Sequence, residues 1–270
     1  MQSEPELTVI MPVYNVAQYL GRALDALLNQ QDPNFKLLIV DDGSTDSTAA
    51  VAQSYAGRFK WFRLIEKANS GVSDTRNVGL AHVDTPLFTF HDGDDWTDPG
   101  YTAFFKRAFK QHPEVDLVSC GYYISYPTHE HRVGWPQSGN LTRWQTYKKM
   151  TNVFNSPVKG YAWNKAYRTQ VVRENKLHFI DNLPFMEDQI FNVYYEAVSR
   201  GFYYTATPYY HYFQRSGSLV HKAGLETVPD NIRVNYIVWK KIFASLRADR
   251  RQRKAARDLE SKNESSRQWH

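Results

Sequence analysis

Phe35-Lys36-Leu37-Leu38-Ile39-Val40-Asp41-Asp42-Gly43-Ser44-Thr45-Asp46 joins an apolar run to a block of short polar side chains. The run 35–40 has the length and apolar content of a buried strand, and Asp41-Asp42-Gly43 stops it. Ser44 to Asp46 then supply the short oxygen-bearing side chains that cap the open N–H groups of a helix's first turn. The segment therefore reads strand, carboxylates, helix start. The same grammar repeats on either side. Upstream, Leu7-Thr8-Val9-Ile10-Met11-Pro12-Val13-Tyr14 is a buried strand ending at a loop, and Leu20, Ala23, Leu24, Leu27 and Leu28 stand at helical spacing within 17–30. Downstream come a strand over 61–65, a helix over 72–82 after the turn Asn69-Ser70-Gly71, and a strand over 86–90 that runs into Asp92-Gly93-Asp94-Asp95. A helix opened by Asp98-Pro99 and a fifth strand over 115–123 follow.

This alternation predicts an α/β fold, a mostly parallel sheet flanked by helices on both faces. In such sheets ligands bind outside the carboxyl ends of the strands. Tyr14-Asn15, Asp41-Asp42, Asn69 and Asp92 to Asp95 all fall at strand ends, so four separate stretches point at one crevice. After residue 124 the rhythm breaks. Residues 125–140 read as a loop, 142–154 as a helix, 163–167 as a short strand or turn, and 186–200 as a helix. An aromatic strand spans 202–213, and 232–257 reads as a helix with a basic end, with 258–270 fraying beyond it.

Composition narrows the class. With 270 residues, 42% hydrophobic and 15% aromatic, the chain can bury a large core. Its net charge is +5, with basic residues gathered at Arg247, Arg250, Arg251, Arg253, Lys254 and Arg257. The single cysteine, Cys120, excludes an internal disulfide and suits a reducing, cytoplasmic setting. There is no basic-then-apolar leader pattern and no apolar run of bilayer-spanning length, which predicts a soluble or peripheral protein at the inner face of the membrane. The tail Trp239-Lys240-Lys241-Ile242-Phe243 and the arginines after it read either as a solvated basic helix or as a peripheral contact with anionic lipid.

Asp92, Asp94 and Asp95 repel one another unless a cation or hydrogen-bond donors compensate. Oxygen-only ligands suit Mg²⁺ or Mn²⁺, ions that share their sites with substrate phosphates. The plain alternative is a solvated Asp-Gly turn, and Asp41-Asp42 on a neighbouring strand weighs against it. No glycine-rich dinucleotide or P-loop signature, zinc spacing or nucleophile elbow is present. Any phosphates bound here would then be held by metal and basic side chains.

These segments, taken together, resemble family 2 glycosyltransferases, inverting enzymes with the GT-A fold. The resemblance rests on Val9-Ile10-Met11-Pro12-Val13-Tyr14-Asn15, Val40-Asp41-Asp42-Gly43-Ser44-Thr45-Asp46, Asn69-Ser70-Gly71-Val72-Ser73 with Arg76-Asn77-Val78-Gly79-Leu80, and Asp92-Gly93-Asp94-Asp95-Trp96. It implies a UDP-sugar donor with Mn²⁺ or Mg²⁺, and a glycan, wall-polymer or lipid-linked acceptor of the bacterial cell surface, not a nucleic acid. Pro12 and Tyr14 would line the base, Asp41 or preferentially Asp42 would accept from the uracil imide, and Asn69 would add a base contact. Arg76 would approach the diphosphate or ribose, and Asp92 the ribose or donor sugar. Asp94 would be the main metal ligand, with Asp95 and Asp92 beside it. Within Glu187-Asp188, Asp188 would be the general base, at a helix N-terminus that keeps it ionised. Arg215 would reach the diphosphate, with Ser216, Ser218 or His221 closing over it. Trp163-Asn164-Lys165 would shape the acceptor side. His91 stands where the family usually has an apolar residue.

On this reading residues 1–124 form the nucleotide-sugar-binding half, 125–225 the acceptor and catalytic half of the same GT-A domain, and 226–270 a basic helical extension. Two alternatives stand beside it: a nucleotidyltransferase on a similar sheet, which would want a glycine- and lysine/arginine-rich loop after the first strand, and a carbohydrate-binding module that has lost catalysis.

Overall fold

The computed structural model describes residues 4–151, 160–181, 186–214, 234–251 and 254. In chain order the elements are β1 (Leu7–Val13), α1 (Ala17–Leu28), β2 (Lys36–Asp41), α2 (Thr48–Ser54), β3 (Phe62–Glu66), α3 (Val72–Ala81), β4 (Leu87–Phe90), β5 (Trp96–Thr97) and α4 (Tyr101–Gln111). Then come β6 (Leu117–Ser125), β7 (Glu130–Val133), β8 (Gly139–Leu141), α5 (Arg143–Met150), β9 (Lys165–Arg168), α6 (Thr169–Asn175), α7 (Glu187–Val198) and β10 (Phe202–Phe213). A last helix, α8, covers 234–251.

Every residue of β1 is buried, as a central strand covered on both faces requires. Val9, Met11 and Val13 enter a core shared with Leu20, Ala23, Leu24 and Leu27 of α1 and with Phe104 and Phe105 of α4. Ile10, between them, points to the opposite core, which Phe88, Phe90, Phe179, Phe191 and the buried side of α8 complete. The period-two alternation thus builds three layers, with helices on both sides of one sheet.

The sheet runs β3-β2-β1-β4-β9-β6-β10-β5. Its first four strands are parallel, as expected from the strand–helix rhythm. The second half is mixed: β9 lies antiparallel to both β4 and β6, whereas β10 lies parallel to β6. β6 and β10 thus run in the same direction as the first four strands, and on this path only the short β9 and β5 run against them, so the sheet is mostly parallel, as the strand–helix rhythm predicts. Residues 125–140, expected as a loop, contain β7 and β8, both short and antiparallel to their neighbours. Neither β5 nor α6 was expected; each is too short to show a period. α5 starts where expected, since Thr142 forms a capping box with Gln145.

Candidate active site

The acidic turn after β4 is built by its neighbours. Gly93 packs so tightly that a Cβ there would lie 2.8 Å from Val13 Cγ1. Asp95 is fully buried: its Oδ1 accepts from the Phe213 N–H at 2.8 Å and its Oδ2 from the Tyr210 hydroxyl at 2.8 Å. The same Tyr210 oxygen accepts the Asp92 N–H at 3.0 Å, so one phenol ties both ends of the turn to β10. Arg22 of α1 lies between the rings of Trp96 and Phe213, at 3.8 and 4.3 Å from their centroids, and donates to the Asp94 carbonyl at 2.7 Å. Asp95 is thus an internal brace of the turn. Asp92 and Asp94 keep partial exposure.

His91, unexplained by the sequence, is enclosed against Tyr210, and its Nδ1 donates to the Asp92 carbonyl at 2.9 Å. Burial pushes its pKa down to about 4, so the ring is neutral and serves as a polar spacer beneath the turn. Its Nε2 has no partner among the described residues.

Arg76 organises the other side. It was expected at the diphosphate or ribose, yet its side chain is 5% exposed and lies beneath three carboxylates. Nη1 donates to Glu187 at 2.7 Å and to Asp188 at 2.5 Å, and Nη2 stands 3.7 Å from Asp92. The guanidinium therefore holds three carboxylates together. Burial alone would lower its pKa, but Asp188, Glu187 and Asp92 outweigh that and hold it above its ordinary value. Asp188 sits in the first turn of α7, with its Oδ2 accepting the Ala162 N–H at 3.0 Å. Burial raises Asp188 to about 6, against the pull of Arg76 and with Glu187 pushing the same way as burial. Asp92 goes up to about 7, again through burial first, with Arg76 opposing and Asp94 adding repulsion. Sequence pattern joins neither pair: Arg76 lies 112 positions from Asp188.

At the ends of β1 and β2 the motif residues mostly knit loops together. Asn15 adopts a left-handed conformation (φ 50°), and its Oδ1 accepts from the N–H groups of Thr45 at 2.8 Å and Asp46 at 3.3 Å. Asp41 accepts from the Ser44 N–H at 3.1 Å and its hydroxyl at 2.5 Å. Asp42 was the preferred partner for a uracil imide, but both of its oxygens are engaged. Oδ1 accepts from Lys67 at 2.5 Å and the Ser70 N–H at 2.9 Å, and Oδ2 from the Gly71 N–H at 2.9 Å. Asp42 therefore anchors the 67–71 loop at the start of α3. Asn69 donates to the Asp42 carbonyl at 3.0 Å from an exposed position. Pro12 is buried within β1, while the ring of Tyr14, just beyond it, is 47% exposed at the rim of the crevice.

Trp163, Asn164 and Lys165 were expected to shape the acceptor side. All three are buried. Trp163 stacks between Tyr161 and Tyr210, with centroids at 4.8 and 4.5 Å. Asn164 donates to the Cys120 carbonyl at 2.9 Å, and Lys165 donates to the Tyr161 carbonyl at 2.5 Å. Burial takes the Lys165 pKa down to about 7. These residues set the backing of the crevice, and the partly buried Tyr161 and Tyr212, which flank Trp163, are the rings nearer its surface. Arg215, Ser216, Ser218 and His221 lie outside the described residues.

Among the described residues no three His, Cys, Asp or Glu side chains converge as a metal cage. Mg²⁺ and Mn²⁺ need less than that: one or two carboxylates, completed by substrate phosphates and water. Asp94 and Asp92 fit this requirement. Asp92, Glu187 and Asp188 share one guanidinium, so the crevice carries more carboxylate than cation, and a divalent ion would redress that imbalance.

The Glycosyl transferase family 2 model matches residues 8–175. EpsH of Bacillus subtilis (strain 168), named as a glycosyltransferase, is 30% identical over 226 residues, covering 81% of this chain and 63% of EpsH. A teichoic acid poly(glycerol phosphate) polymerase of Staphylococcus epidermidis is 29% identical over 184 residues, 66% of this chain and 24% of the polymerase. The chain thus spans less than two thirds of each of these relatives. Among solved structures, S. aureus TarS 1-349 in complex with UDP-GlcNAc superposes with a TM-score of 0.68 at 21% identity, covering 82% of this chain and 62% of that one, which is a likeness of fold. The family match runs from β1 to the end of α6 and takes in the acidic turn and Arg76. With more than half of its length inside that match, the chain belongs to glycosyl transferase family 2.

Proposed function

We propose that the chain moves a sugar from a UDP-sugar to a hydroxyl of a cell-surface glycan or wall polymer, with inversion at the anomeric carbon and with Mn²⁺ or Mg²⁺. The observation that carries the reading is the meeting of Asp188 and Asp92 on the one buried guanidinium of Arg76. It joins a candidate base on α7 to a carboxylate at the end of β4 through one side chain, which supports reading the two as parts of a single site.

The residues divide the work as follows. Tyr14 offers an exposed ring to the base, with the exposed Asn69 and the buried Asp41 as candidate polar contacts for it. Asp94 and Asp92 hold the ion, which when bound acts as a Lewis acid on the leaving diphosphate. Asp188 takes the acceptor hydroxyl proton as that oxygen attacks the anomeric carbon. The bond from that carbon to the diphosphate oxygen breaks on the opposite face, and its electron pair leaves with UDP. A carboxylate raised to about 6 suits this task, because a base is most effective when its pKa lies near the working pH. Glu187 shares Arg76 and keeps the guanidinium in register. Arg215 is proposed as a second cation for the departing diphosphate. The acceptor class follows the relatives' names, and the UDP donor follows TarS.

A panel of UDP-sugars, assayed for metal-dependent hydrolysis with and without EDTA, tests the reading. Release of UDP from at least one donor, abolished by EDTA and restored by Mn²⁺, is the expected result. No release from any donor, or release indifferent to chelation, would count against it.

A further inference from the structure

α8 has two faces of different character. Val234, Val238, Ile242 and Ser245 are buried, Ser245 pairs with the Tyr147 hydroxyl at 3.0 Å, and Asp249 forms an ion pair with Arg143 of α5. Asp249 is the one carboxylate between residues 234 and 251, and this pairing holds it on the inner side. At about 100° per residue the opposite side carries Tyr236, Trp239 and Phe243 together with Lys240, Arg247 and Arg250. All six are exposed, and the rings of Tyr236, Trp239 and Phe243 are 66%, 38% and 54% open. Rings occupy the first half of the helix and arginines the second, and this outer side holds no acidic residue.

The helix has a fixed direction relative to the crevice. Lys241 lies 4.5 Å above the Tyr194 ring of α7, and Arg143, which holds Asp249, also donates to the Ser199 carbonyl just after α7. α8 therefore runs beside α7 in the same sense, and its aromatic half lies level with the half of α7 that begins at Glu187 and Asp188.

We propose that the outer face of α8 rests on an anionic lipid surface, its rings at headgroup depth and its arginines against lipid phosphates. Aromatic rings flanked by cations, on a helix too polar to cross a bilayer, match an in-plane interfacial helix. Charge complementarity selects this occupant over a second copy of the chain. Two such faces would gather six cations, Lys240, Arg247 and Arg250 of each copy, with no acid among them to pair with. The surface would set the acceptor side of the crevice toward the membrane, a consequence that rests on the proposed function; the lipid contact itself does not.

Flotation of the full chain with phosphatidylglycerol-containing vesicles and with pure phosphatidylcholine vesicles tests this. The anionic vesicles are expected to carry at least about tenfold more protein, with the difference falling as salt rises. The triple variant Tyr236→Ser, Trp239→Ser, Phe243→Ser and the charge variant Arg247→Glu, Arg250→Glu should each lose that binding. Both should keep the melting temperature and any metal-dependent UDP-sugar hydrolysis measured without vesicles, so failure here is distinguishable from failure of the donor reading. A wild-type chain that stays in the aqueous fraction, or variants that float as well as the wild type, would overturn the proposal. So would a wild-type dimer that the aromatic variant converts to monomer, which would make the face a contact between copies.

Discussion

Replacing Arg76 by Met tests the organisation of the crevice. The substitution keeps roughly the volume and removes the guanidinium that contacts Glu187 at 2.7 Å and Asp188 at 2.5 Å and lies 3.7 Å from Asp92. Deleting one partner of a buried ion pair costs about 3–5 kcal/mol when the remaining charge has no other compensation. Here the stranded carboxylates have another recourse, which is to bind protons. Asp188 is already lifted to about 6 by burial, with Arg76 pulling the other way. Without Arg76 its pKa must rise further, and each unit corresponds to about 1.4 kcal/mol. At pH 7 a base of pKa about 6 is roughly nine-tenths ionised; one unit higher leaves about half, and two units about one-tenth. A pH–rate profile for UDP-sugar turnover should therefore show its acid limb moving from about pH 6 to pH 7 or above, with part of the lost rate returning at pH 9. Stability should move with the opposite sense. Carboxylates whose folded pKa lies above the unfolded value favour the fold below that unfolded value and lose the benefit as pH rises through the folded one. The urea-measured penalty of the variant should thus be smallest near pH 5 and grow toward pH 8. An acid limb that stays at its wild-type position, with a penalty independent of pH, would refute the reasoning.

Three further outcomes follow from the same contacts. Tyr210→Phe removes the hydroxyl that accepts from the Asp92 N–H and donates to Asp95, and should lower stability by about 1–3 kcal/mol in urea titration while reducing Mn²⁺-dependent donor affinity. Arg22→Ala releases the Asp94 carbonyl and the Trp96–Phe213 stack, so calorimetry should show weaker UDP binding in Mn²⁺ but little change in its absence. Asp94→Ala should abolish the dependence of UDP affinity on Mn²⁺; unchanged affinity in Mn²⁺ would remove this residue from the metal site.

Much of the parallel half of the fold is legible in the chain, because β1, β2 and β4 are continuous apolar runs that end in turn-forming polar residues. The second half is harder to read. β9 is four residues long and lies antiparallel between two strands, and its placement depends on pairing partners, which local pattern does not encode. The site divides in the same way. The carboxylates announce themselves as clusters after strands, yet which of them face the crevice depends on distant donors. Asp95 turns inward because Tyr210 and Phe213 meet it from β10, and Asp42 is engaged by Lys67 and the start of α3. Arg76 reads as a phosphate-binding residue by its motif, and only the approach of α7 makes it the counter-ion of Glu187 and Asp188. Arg22 carried no sequence signal beyond being a cation beside the apolar stripe of α1.

The central claim, that Asp188 is the base opposite a metal-held diphosphate, is tested most directly by Asp188→Asn. Metal-dependent turnover of the accepted UDP-sugar should fall at least about 100-fold, the range of a positioned general base. Donor affinity measured by calorimetry in Mn²⁺ should stay within about threefold of wild type, under 1 kcal/mol. Retained turnover, or a loss that merely follows lost donor binding, would contradict the account.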